Sequence, residues 1–155
     1  MFRIFISLAP SDPCTIESSW LPSALTTAAP APSPKSTQVL RSAQMDGREV
    51  YKFAVRTVPK AVSEALEQAE LPIEDVKYFL LHQANIRIIE SVAKRLHQPM
   101  EKFPCNLLKC GNVSAASVPI LLDNVHKHGM ISGGDKIVLA GFGAGLTWGA
   151  CAVEW

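Results

Sequence analysis

A histidine at 82 and an asparagine at 112 stand in short polar runs beside apolar stretches, and a third run, Gly141-Phe142-Gly143-Ala144-Gly145, is rich in glycine. A neutral imidazole and a carboxamide each donate a hydrogen bond, and a glycine turn offers backbone N–H groups. Together they could hold negative charge developing on a carbonyl oxygen. Such oxyanion chemistry needs no metal. Each residue also has a purely structural use, since a histidine at a strand end can be hydrogen-bonded framework and an asparagine at a helix start can be an N-cap. Only geometry separates the two uses.

Other chemistries fit less well. Cys105 and Cys110 with His126 and His128 have C-x4-C and H-x-H spacing, which departs from zinc-finger patterns. The glycines at 141, 143 and 145 precede Leu146 and a strand-like segment, where a dinucleotide fingerprint needs a further glycine and a helix. No Gly-x-Ser-x-Gly elbow or phosphate loop occurs. Arg87, Lys94 and Arg95 follow His82, with Arg87 and Lys94 nearly in line on a helix. They read either as a solvated face or as a docking surface for an acidic partner.

These residues need elements to position them. Ala54, Val58, Ala61, Val62, Ala65, Leu66 and Ala69 recur at helical spacing, so the pattern predicts an amphipathic helix over 50–70, kinked at Pro59 and preceded by an Asp46-Gly47 turn. Residues 76–81 suit a buried strand ending at His82, before a helix carrying Ile86, Ile89, Val92, Ala93 and Leu96 on one face. A strand over 106–108 would place Asn112 on a second strand-to-helix loop, followed by a helix with Ala115, Val118, Leu122 and Val125 inward. Residues 137–140 and 146–153 read as strands around the glycine turn. In open α/β sheets ligands collect at the carboxyl ends of strands, where His82, Asn112 and the glycine turn all fall.

The chain has 155 residues, 48% hydrophobic and 19% charged, enough for one globular domain. Its 15 basic and 14 acidic residues give a net charge of +1, so bulk charge calls for neither nucleic acid nor an anionic membrane. The four cysteines are too scattered for a disulfide framework and read as reduced thiols. The uncharged stretch 137–153 contains four glycines and reads as two buried strands rather than a membrane span. The run over 4–8 is shorter than the apolar core of a secretory signal. Six of the eleven prolines lie in the first 34 residues, so 1–44 reads as a disordered Pro/Ser/Ala-rich tail or a transit-like segment, and 45–155 as the domain.

Phe53-Ala54-Val55, His82-Gln83-Ala84-Asn85 with Arg87-Ile88-Ile89, the run Gly111-Asn112-Val113-Ser114-Ala115-Ala116-Ser117, and Gly141-Phe142-Gly143-Ala144-Gly145-Leu146-Thr147-Trp148-Gly149 together resemble the C-terminal part of β-ketoacyl-acyl-carrier-protein synthase III. Four motifs in order, over 45–155, make the resemblance specific; the first 44 residues match nothing in that family. It implies the C-terminal half of an α/β thiolase-like layered fold, in a family of homodimers. It also implies condensation of an acyl-coenzyme A primer, typically acetyl, with malonyl-acyl-carrier protein to start fatty-acid chains, with no further cofactor and in no contact with nucleic acid or membrane. The resemblance makes His82 and Asn112 catalytic, as donors to an enolate-like thioester oxygen. It places Asn85 along the pantetheine channel and Gly143, Ala144 and Gly145 beside the acyl pocket. Lys52, Arg87, Lys94 and Arg95 then form the carrier-protein docking surface. The wording is closest to plastid and bacterial members, which implies a plastid or a cytoplasmic setting.

The family's nucleophilic cysteine belongs to the N-terminal half, which has no counterpart here. Cys151, in Ala150-Cys151-Ala152, falls in the last strand of the resemblance, Cys14 in the tail, and Cys110 two residues from Asn112. A half-site without an acyl acceptor cannot run a ping-pong reaction. The expected reading is therefore part of a synthase, inactive alone. Its alternative is a non-catalytic module that binds carrier protein or an intact synthase subunit. A hydrolase working through His82 alone lacks a nucleophile or acid partner. A lone half would expose apolar faces and be poorly soluble.

Overall fold

The computed structural model describes residues 4–8, 46–144 and 146–155. The expected tail therefore lies outside the described residues, except for β1 (Ile4–Leu8), a strand. The remaining elements are α1 (Gly47–Gln68), β2 (Tyr78–Leu81), α2 (Ile86–Arg95), the single turn α3 (Leu107–Cys110), α4 (Ser117–Lys127), β3 (Lys136–Gly143) and β4 (Thr147–Glu154). The sheet runs β1-β4-β3-β2, with β2 parallel to β3 and both β3–β4 and β4–β1 antiparallel.

Period-two alternation divides the sheet between two helical layers. Phe79 and Leu81 of β2, Val138 and Ala140 of β3, and Ala150 and Ala152 of β4 pack with α1 and α2. Leu80 and Ile137, from the intervening positions, pack with Leu121 and Val125 of α4 and with Ile131. Small side chains at 140, 150 and 152 let α1 lie close to the sheet, where Ala54, Ala61, Val62 and Ala65 are buried. Burying a Val, Leu or Phe side chain in such a layer contributes roughly 1.5–3 kcal/mol.

Asp46 and Gly47, expected as a turn, start α1: Asp46 Oδ1 accepts from the N–H groups of Arg48 and Glu49 at 2.9 and 3.2 Å, which makes Asp46 the N-cap. Pro59 lies inside this helix rather than ending it. Its missing N–H leaves the Val55 carbonyl without its helical donor. The long helices α1, α2 and α4 end alike, on a left-handed residue and a closing bond from the next N–H: Glu70 with Leu71 N–H to Leu66 O, His97 with Gln98 N–H to Ala93 O, Gly129 with Met130 N–H to Val125 O.

Three expectations need correction. Residues 106–108 form no strand; Leu107 begins a helical turn whose N–H groups at 109 and 110 both bond to Asn106 O. A run this short and apolar carries no period that separates strand from helix. Asn112 consequently sits between two helical turns, not after a strand. The inward face of α4 is Ser117, Leu121 and Val125, at i, i+4 and i+8; Ala115 is exposed in a preceding 3-10 turn, and Val118 and Leu122 are only partly buried. The glycine run continues β3 through Gly143, and β4 begins at Thr147.

Candidate functional site

The ladder between β2 and β3 runs one step past the strand: His82 N–H donates to Ala140 O at 2.8 Å, fixing the backbone that carries the imidazole. Gln83, fully buried, turns back, donating from Nε2 to Leu81 O at 2.9 Å and accepting the Asn106 N–H on Oε1 at 3.2 Å. One amide thereby anchors the end of β2 to the segment that leads to Asn112. Asn85 then caps α2, its Oδ1 accepting from Arg87 N–H at 2.9 Å.

Gly111 directs the chain into Asn112 with φ +65° and ψ −162°, a region that only glycine enters readily. Asn112 Oδ1 accepts the Ser114 N–H at 3.0 Å, so the oxygen closes the turn and the Nδ2 protons remain for a ligand. Ser114 itself takes a left-handed φ of 54°.

These segments enclose a cleft of about 740 Å3 whose walls include His82, Asn112, Ser114, Phe142, Gly143 and Trp148. Among the described residues no charged side chain lines it. His82 is half-buried, and burial pulls its pKa below the ordinary histidine value, which favours the neutral ring, itself a hydrogen-bond donor. Phe142 meets the ring edge-to-face at a centroid distance of 5.0 Å, and Phe53 stands edge-on to both Phe142 and Trp148. On its other side His82 Nδ1 meets Ser117 Oγ at 2.5 Å, and the same oxygen accepts the Gln83 N–H at 3.3 Å.

His82, Asn112 and Gly143 thus border one cleft. Asn85, exposed, and Ala144 do not line it, and Gly145 lies outside the described residues. Lys52, Arg87, Lys94 and Arg95 are exposed on α1 and α2, with Lys52 paired to Glu49 at 2.7 Å. Those two helices are tied by Tyr51 Oη and Ser91 Oγ at 2.8 Å. Cys105, Cys110 and Cys151 are free thiols and none lines the cleft; burial pushes the Cys151 thiol up, away from thiolate. Cys14 lies outside the described residues. Among the described residues no cluster of three or more His, Cys, Asp or Glu could hold a metal ion, and no helix is long and apolar enough to cross a membrane. Sequence reading missed Gln83 and Ser117, both buried polar residues beside the imidazole. The available signal was their polarity inside two runs otherwise assigned to His82 and Asn112.

Residues 66–155 match the family model described as 3-oxoacyl-[acyl-carrier-protein (ACP)] synthase III C terminal. The β-ketoacyl-[acyl-carrier-protein] synthase III of Clostridium novyi is 49% identical over 121 residues, 78% of this chain and 37% of that protein. The chloroplastic synthase III of Arabidopsis thaliana is 50% identical over 112 residues, 72% of this chain and 28% of that protein. The crystal structure of the Thermus thermophilus synthase III superposes with a TM-score of 0.71 at 46% identity, covering 72% of this chain and 35% of the other. The chain spans about a third of the length of these relatives. Carrying an α/β thiolase-like fold, it belongs to the 3-oxoacyl-[acyl-carrier-protein] synthase III family, of which it corresponds to the C-terminal part.

Proposed function

We propose that this chain supplies the decarboxylating half of a β-ketoacyl-acyl-carrier-protein synthase III site, which joins an acyl group, acetyl in the first instance, to malonyl-acyl-carrier protein. Loss of CO2 from the malonyl thioester leaves an enolate. Its oxygen takes hydrogen bonds from Asn112 Nδ2 and from the His82 ring nitrogen that is not bound to Ser117. The enolate carbon attacks the thioester carbonyl of the acyl-enzyme, and the sulfur departs as thiolate, leaving a β-ketoacyl product on the carrier. The acyl-bearing cysteine belongs, as the resemblance implies, to an N-terminal half. The observation that carries this reading is the convergence of a half-buried His82 and Asn112 on one cleft.

Gly143 bordering the cleft supports a role beside the acyl group, and we extend that role to the turn at 144 and 145 and the pantetheine-channel role to Asn85. The exposure of Lys52, Arg87, Lys94 and Arg95 supports docking of an acidic carrier protein. We take 45–155 as the domain, with β1 added to the edge of its sheet, and the rest of 1–44 as a tail or transit-like segment. A homodimeric synthase is the proposed assembly, and a plastid the proposed compartment, which a chloroplastic relative supports, with the cytoplasm as alternative.

The test is a chimera joining residues 46–155 to the N-terminal portion of the Thermus relative. It should condense acetyl-coenzyme A with malonyl-carrier protein, and His82→Ala or Asn112→Ala should each lower the rate by about 100- to 1,000-fold, the loss expected for one oxyanion donor. A folded chimera indifferent to both changes would sink the reading. A second reading, a non-catalytic module that binds carrier protein or pairs with an intact synthase, is favoured by the absence of any described cysteine from the cleft. It predicts carrier-protein binding with an inactive chimera.

A further inference from the structure

Ser117 opens α4, is 99% buried (relative exposure 1%), and points its hydroxyl at the back of the His82 ring rather than into the cleft. Its oxygen has two partners among the described residues, the Gln83 N–H at 3.3 Å and His82 Nδ1 at 2.5 Å. The Gln83 N–H can only donate, so it takes one lone pair of the oxygen. Among the described residues the hydroxyl proton then has one acceptor, His82 Nδ1. Were Nδ1 protonated instead, two donors would converge on Ser117 Oγ and the buried hydroxyl proton would be left without an acceptor, which native interiors avoid.

We infer that Ser117 is a positioning residue that locks His82 in the tautomer protonated at Nε2, through the relay Gln83 N–H to Ser117 Oγ–H to His82 Nδ1. The relay decides what the cleft-facing nitrogen can do. With the proton on Nε2, His82 donates to a ligand oxygen; with the proton on Nδ1 it could only accept, the property of a base. Phe142, edge-to-face on the ring at 5.0 Å, restrains its tilt from the cleft side, so Ser117 sets the proton and Phe142 the plane. Desolvation of the half-buried ring favours the neutral form in which the tautomer matters. The catalytic consequence rests on the oxyanion reading above; the tautomer does not.

The chain holds its own reference. His128 Nδ1 lies 2.7 Å from the Asn124 carbonyl oxygen, an acceptor only, so His128 is protonated at Nδ1, the opposite arrangement. The experiment is nitrogen-15 NMR of the imidazoles in the uniformly labelled 155-residue chain near pH 8, with His82 assigned through His82→Gln, in solution or on sedimented protein. The expected pattern is a protonated Nε2 and an unprotonated Nδ1 for His82, and the reverse for His128. Ser117→Ala should lower the ratio of Nε2–H to Nδ1–H at His82 several-fold, and Ser117→Thr, which keeps the hydroxyl, should restore it. Protonated Nδ1 in the unaltered chain would overturn the proposal, as would an unchanged ratio in a folded Ser117→Ala. In the chimera, Ser117→Ala should lower kcat by about tenfold, with KM little changed, the worth of one hydrogen bond in the site. A tautomer that shifts as expected in a chimera insensitive to His82→Ala would leave the relay standing and remove the oxyanion reading instead.

Discussion

The two faces of the sheet are finished to different degrees. Against α1 and α2 the side chains at 79, 81, 138, 140, 150 and 152 are all buried, and Phe79 stacks on Phe103 with ring centroids 4.9 Å apart. On the α4 face burial is complete only near Leu80 and Ile137; farther along, Val118, Leu139, Gly141, Gly149 and Cys151 border an open apolar groove of about 300 Å3. Beside the cleft the backbone is irregular as well, with Gly111 and Ser114, both at positive φ, framing Asn112. The α1 face is a closed core, whereas the α4 face holds Ser117 against His82 and, among the described residues, leaves an apolar groove open. Under the proposed function, the remainder of a protein about three times as long covers it.

The largest effect should come from breaking the finished face. Phe79→Ala removes a side chain with 0% exposure and should cost about 3–5 kcal/mol, whereas Leu139→Ala, at the edge of the open groove, should cost less than about 2 kcal/mol because much of that surface is already wet. Urea denaturation of the two variants measures the difference. Equal losses would mean that the faces are equally packed and would end the comparison.

Gly111→Ala sharpens the contrast from the site side. Nothing lies within 4 Å of the Cβ it would add, so the cost is torsional rather than steric. Holding alanine at φ +65° and ψ −162° should cost about 1–3 kcal/mol or swing Asn112 out of the cleft. Stability and chimera turnover together tell which. A variant unaltered in both would show that this backbone is not needed to place Asn112.

Legibility in the sequence followed the same division. The spacing of Ala54, Val58, Ala61, Val62, Ala65 and Leu66 exposed the buried stripe of α1, and the apolar runs around His82 and Gly141 located β2, β3 and β4, because repeated burial imprints a period on the chain. His82 at the end of β2 followed from that. What failed lies where no period exists. The turn at 107–110 is too short to carry one, and apolar spacing gives the wrong phase for α4 because its first inward residue is a serine rather than an apolar side chain. The partnership of Ser117 with His82 spans 35 positions, and only the packing of α4 against β2 creates it.

Asp46→Ala tests whether the finished face depends on its helix cap. Loss of the two bonds to Arg48 and Glu49 should cost about 1 kcal/mol, seen as a lower urea midpoint, while the chimera's KM and kcat stay unchanged because no α1 residue lines the cleft. A change in turnover larger than the change in stability would show that the two faces are coupled.

The smallest effect belongs to His82 and is set by pH. Burial lowers its folded pKa below the ordinary histidine value of about 6.5, so between the folded and unfolded values the unfolded chain binds more protons. The stability this group contributes is therefore fully present above about pH 6.5 and is lost as pH falls through the folded pKa. At most one proton is involved, and the ring is only half-buried, so the slope is shallow. His82→Gln, which cannot titrate, should flatten the urea midpoint between pH 6.5 and the folded pKa relative to the unaltered chain. Asp135, held below the usual carboxylate range by the Lys77 side chain and the Ser132 N–H, acts only at more acidic pH and leaves this window to the histidine. If the slope survives His82→Gln, the open cleft is not the source of the acid sensitivity.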